Sequence, residues 1–79
     1  MAMIQSPDQL IEGRLYRLES GTGMVVYGAF RHMRLLTGRI QLEFAVVEPS
    51  NGSAMVARGV RMRVFWRSVK SIKLMEEWS

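Results

Sequence analysis

From Arg39 the chain alternates: in RIQLEFAV, Ile40, Leu42, Phe44 and Val46 fall on one side of an extended strand and Arg39, Gln41 and Glu43 on the other. A period of two over this length predicts a half-buried β-strand. VRMRVF repeats the pattern, with Val60, Met62 and Val64 opposed by Arg61, Arg63 and Phe65. MVVYGAF is apolar on both sides, which suits a central strand, and Gly28 in its middle predicts a sharp bend or a close backbone approach. Turn residues punctuate these runs at Gly21-Thr22-Gly23, Thr37-Gly38 and Pro49-Ser50-Asn51-Gly52-Ser53. Strands are therefore expected at about 14–19, 24–36, 39–48, 54–65 and 70–75.

The start of the chain has a different signature. Ser6 suits an N-cap, Pro7 the first helical position and Gln9 the return arm of a capping box, and Gly13 supplies a stop. A short helix over about 6–12 is expected, followed by a mainly β domain. The five strands are expected to form a strongly bent antiparallel sheet that curls around Gly28 into a small barrel spanning the chain, 1–79, as one domain.

Composition narrows the chemistry. At 79 residues with 48% hydrophobic side chains, the chain supports one core, and a domain this small buries only about 60–65% of its unfolded surface. It has no cysteine for disulfides, and one histidine cannot furnish a structural zinc site, so self-association is the expected staple. No apolar run approaches a membrane span, and MAMIQSPDQL lacks the features of a signal peptide, which together predict a cytoplasmic location without membrane attachment. Neither a cofactor-binding nor a nucleotide-loop motif occurs, and no catalytic grouping of nucleophile, base and acid is apparent, so no enzyme, cofactor or metal is expected.

Eleven Lys and Arg against seven Asp and Glu leave a net charge of +4. Six of the basic residues, Arg58, Arg61, Arg63, Arg67, Lys70 and Lys73, follow one another without an intervening acid, and Arg31, His32, Arg34 and Arg39 form a second group. Phosphate binding needs little beyond such charge, and single-strand binding adds a flat ring on which bases stack. Trp66, beside Arg67, is the candidate platform; packing in a core or a subunit interface is the other role open to it. The glutamates and Trp78 in EEW at 76–78 are read as a solvated tail with one apolar cover.

This order of a short helix and five strands, with a glycine within the second strand and a brief link before the fifth in VFWRSVKSI, resembles the Sm-like family, including the LSm proteins and Hfq. The link resembles an Hfq-type variant at Phe65, Trp66 and Arg67, whereas Arg34 and Gly38 stand near where the family carries Asp and Asn, as in an atypical, phage-related member. The resemblance implies a homo-oligomeric ring in which strand four of one copy pairs with strand five of the next. It also implies single-stranded RNA bound at a basic rim by Arg31, His32, Arg34, Trp66 and Arg67, with Arg61, Arg63, Lys70 and Lys73 on phosphates. The alternative is a structural or scaffolding ring that meets an acidic or protein partner, in which case Trp66 is buried.

Overall fold

A computed structural model describes residues 3–49 and 55–75. The expected turn after Pro49 and the expected tail at 76–78 lie outside the described residues. Five strands, β1 (Leu15–Ser20), β2 (Val25–Leu36), β3 (Arg39–Pro49), β4 (Met55–Phe65) and β5 (Val69–Leu74), match the alternation to within a residue or so at each end. They form one antiparallel sheet in the order β4-β3-β2-β1-β5. No helix among the described residues is long and apolar enough to cross a membrane.

The expected helix over 6–12 is corrected to a single 3-10 turn, Pro7–Gln9. Its start follows the sequence signature: the Gln9 carboxamide accepts from the Ser6 and Gln5 backbone amides at 3.2 and 2.7 Å. It ends because Leu10 turns to extended geometry, φ −74° and ψ 138°, and enters the core. A nucleus this short gains few helical hydrogen bonds, whereas burying one leucine contributes about 1.5–3 kcal/mol, so tertiary packing overrides the local signal. The Ile11 amide then donates to the buried Tyr16 hydroxyl at 2.9 Å, tying the N-terminal segment to β1.

The expected closure into a barrel is also corrected, since β4 and β5 end the sheet and do not hydrogen-bond to each other. The sheet nevertheless curls. Tyr16 and Leu18 of β1, Phe30 of β2, Leu42 and Phe44 of β3 and Ile72 of β5 share one cluster, against which Met62 and Val64 of β4 also pack. Phe44 is central, meeting Phe30 and Tyr16 edge-on at ring separations of 5.5 and 6.4 Å. Side chains from both ends of the sheet reach one core, but the three-residue link Trp66–Ser68 holds β4 and β5 as separate edges.

Irregularities at Gly28 and in the β2–β3 and β3–β4 ladders accompany the curl. Gly28 lies in the row Tyr16–Gly28–Val46 and packs directly on Phe44. Between the pairs Ala45–Arg61 and Val47–Ala57, one residue of β3 faces three of β4, and Gly59 in that excess has φ +73°. In β2, Phe30 pairs with Phe44 and His32 with Glu43, leaving Arg31 as an extra residue. The β2–β3 hairpin beyond that point closes through Thr37 and Gly38, both at positive φ, as a two-residue turn compatible with strand twist demands.

Candidate nucleic-acid interface

The extra residue in β2 decides where the basic side chains go. Simple alternation would put His32 on the side of Phe30, in the core; the bulge at Arg31 shifts the phase, so His32 instead shares a side with Glu43. Arg34 follows on the same side, opposite Gln41. On β4 the register places Arg63 opposite Glu43, Arg61 opposite Ala45 and Phe65 opposite Gln41. Paired residues share a face, so His32, Arg34, Arg61, Arg63 and Phe65 lie on one surface of β2–β3–β4, away from the core.

Glu43 is the centre of that surface and was not anticipated as such, having been assigned to a polar strand face. Its side chain is 3% exposed. Arg63 Nε donates to its Oε1 at 3.0 Å, His32 Nε2 lies 3.6 Å from the same oxygen, and Arg61 Nη1 stands 3.8 Å from Oε2. The Arg63 hydrogen bond holds the Glu43 carboxyl below the usual carboxylate range; burial pulls the other way, and the charges of His32, Arg63 and Arg61 add to the lowering. One signal was present in the sequence: Glu43 is the single acid between Glu19 and Glu48, in a stretch with four Arg or His residues before it.

A second feature sits where the β2–β3 turn meets the β4–β5 link. Gly38, Arg39 and Ile40 on one side and Phe65, Trp66, Arg67 and Ser68 on the other line a cleft of about 530 Å³. The Arg39 guanidinium lies over the Phe65 ring, 5.7 Å from its centroid, a cation–π arrangement. Trp66 is half-buried and packs against the core cluster, whereas Arg67 is exposed. The cleft thus carries two guanidinium groups and two aromatic rings within a volume typical of small-ligand sites. Arg39 and Phe65 are additions to the sequence-based set.

The expected residues therefore fall into four places, the last of them β5 with Lys70 and Lys73. Trp66 and Arg67 line the cleft; His32 and Arg34, with Arg61 and Arg63, occupy the sheet face around Glu43; and Arg31 is the exposed bulge residue. His32 is not among the cleft residues, so it does not join Trp66 and Arg67 in one binding site as a shared rim would require. Lys70 and Lys73 lie on β5, at the other end of the strand order from Arg61 and Arg63. Lys70 is an extra residue opposite the Glu19–Ser20 step and reaches Glu19 Oε2 at 3.6 Å, while Lys73 pairs with Arg17. Comparison with protein-family models, with curated proteins and with solved structures finds no match to this chain.

Proposed function

We propose that the chain is an Sm-like module that assembles into a ring and binds single-stranded RNA in the cytoplasm, without a catalytic step. The observation that carries this reading is the cleft between the Gly38 turn and the Trp66–Ser68 link, where Arg39 and Arg67 stand beside Phe65 and Trp66. Flat rings and guanidinium planes bind any base by stacking, at about 1–3 kcal/mol per base, and the charge binds phosphate. His32, Arg34, Arg61 and Arg63 extend a positive track from the cleft along the sheet face, with Arg31, Lys70 and Lys73 as outlying contacts. The ring reading draws support from the strand order, because β4 ends the sheet as an open edge and β5 is covered on its outer side only by the short Met3–Ile4 segment, which bridges Lys73 and donates to the Ile72 carbonyl and which a neighbouring β4 would have to displace.

The test is a fluorescence-anisotropy titration of labelled uridine-rich and adenine-rich RNA at two salt concentrations, with Trp66→Ala and Arg67→Ala in parallel. Saturable binding that weakens with salt and with either substitution is the expected result. A flat titration overturns the RNA reading.

A second reading, a scaffolding ring without nucleic acid, is favoured by the packing of Trp66 against the core cluster. On that reading Trp66→Ala lowers stability, no oligonucleotide binds, and the basic face meets an acidic protein surface.

A further inference from the structure

The Glu43 cluster contains an unexplained atom. Glu43 Oε2 is buried and has no hydrogen-bond partner among the described residues, while Oε1 of the same carboxylate is held by Arg63. A buried acceptor without a donor is costly, more so when it carries charge, and an orphan of this kind commonly marks a group completed by water or a ligand. Arg61 Nη1 is the cation beside it, but at 3.8 Å it is too distant to donate. The Arg61 and Arg63 side chains are 63% and 57% exposed, so both guanidinium groups remain open to an anion on the solvent side.

An acceptor set between two phosphate-binding groups has a particular complement. Along a nucleic-acid strand, the donor closest to the phosphates is the ribose 2′-hydroxyl, which only RNA possesses; base donors lie farther out, beyond the sugar. We propose that Glu43 is the residue that distinguishes RNA from DNA, its Oε2 accepting a hydrogen bond from a ribose 2′-hydroxyl while Arg61 and Arg63 hold the adjoining phosphate. The inference rests on the RNA reading above and adds a specificity-determining residue at a distance from the stacking cleft. Arg61, exposed and not hydrogen-bonded to the carboxylate, rotates toward the incoming phosphate and opens Oε2 to the sugar. Carboxylates serve as ribose-hydroxyl acceptors in other nucleotide sites for the same reason: an ionised oxygen makes a strong, directional acceptor that a deoxyribose leaves unfilled.

Three single strands of one uridine-rich base sequence test this on the full chain: RNA, the deoxyuridine strand, and 2′-O-methyl RNA, whose sugar oxygen can no longer donate. The wild type is expected to bind RNA about tenfold more tightly than either of the others, the size of one hydrogen bond to a charged group. Glu43→Met, which keeps the volume and removes the acceptor, is expected to bind all three alike, with RNA affinity reduced and DNA affinity unchanged or raised. Equal binding of the three strands by the wild type overturns the inference while leaving the RNA reading standing, and it does so without any variant having to fold. Retention of the RNA preference by folded Glu43→Met overturns it as well. If none of the strands binds, the RNA reading falls and takes the inference with it.

Discussion

Gly28 and Phe44 approach so closely that a β-carbon at residue 28 would stand 2.8 Å from the Phe44 β-carbon. The two residues lie on neighbouring strands, two pairs apart in the register, and their contact draws β2 onto β3 where the core is most densely aromatic. Gly28→Ala must displace Phe44 or the strand. An overpacked core site costs about 1–3 kcal/mol, and in a domain of this size each kcal/mol lowers Tm by about 4–8 °C. Thermal unfolding should show that loss; an unchanged Tm would mean the strands do not converge here.

Gly59 makes the complementary case. A β-carbon there meets nothing within 4 Å, but its φ of +73° is unfavourable for an L side chain. Gly59→Ala is expected to cost about 1–2 kcal/mol through the backbone alone, and Gly59→Asn less, since asparagine tolerates the left-handed region. Equal losses for alanine and asparagine in urea unfolding would point to a steric cause instead.

These two glycines show what the sequence could and could not reveal. Gly28 interrupts an apolar run, so its need for close approach was legible from the pattern, as were all five strands and the Thr37-Gly38 turn. Gly59 sits in ARGVRM, where nothing marks three residues as facing one across the ladder, because a bulge is a property of two strands in register. The same limit hid the Glu43 cluster. His32, Glu43, Arg61 and Arg63 are spread over three strands, and the single extra residue at Arg31 reverses which side of β2 the histidine occupies. Alternation counted along one strand assigns faces correctly only up to the first bulge. The helix reading failed for another reason: its caps were present, but the pull of the core on Leu10 outweighed them.

The Glu43 carboxyl predicts an acid-dependent loss of stability. Its folded-state affinity for a proton is lower than in the unfolded chain, chiefly through the Arg63 hydrogen bond. Its contribution is therefore complete above the ordinary glutamate value of about 4.3 and disappears as the pH falls through the lower folded value. Urea midpoints followed from neutral pH into that acid range should fall for the wild type and fall less for Glu43→Gln, which has no proton to take up. The two proteins should converge at the acid end. Parallel curves would show that the carboxylate is not stabilised by its three cationic neighbours.

Arg67 and Lys70 are three residues apart but should contribute unequally to polyanion binding. Arg67 lines the cleft and is exposed, whereas Lys70 lies 3.6 Å from a Glu19 carboxylate oxygen. Replacing Arg67 with Gln should weaken oligonucleotide binding and reduce the slope of log affinity against log salt by about 0.7, the share of one phosphate contact on a single strand. Lys70→Gln should change the slope by less, because part of its charge is already neutralised. Equal slopes for the two variants would place the phosphate path along β5 rather than through the cleft.

The open edge of β4, and the edge of β5 that only Met3 and Ile4 cover, predict how copies associate once that short segment is displaced. Pairing β4 of one copy with β5 of the next would continue the core side through Met62 and Val64 to Ile72 and Leu74, apolar against apolar. On the other side it would bring Arg61 and Arg63 toward Ser71 and Lys73, placing like charges across the new ladder, a destabilising arrangement for cross-strand neighbours. Assembly should therefore strengthen as salt screens the repulsion over a Debye length of about 10 Å at 0.1 M, and Lys73→Glu should raise the assembled mass at low salt by converting repulsion to attraction. Static light scattering across a salt series on both proteins measures this. A mass that stays at one chain for wild type and variant at every salt concentration would show that these edges do not pair between copies, and the ring would have to be abandoned while the cleft and the Glu43 face remain as surfaces of a monomer.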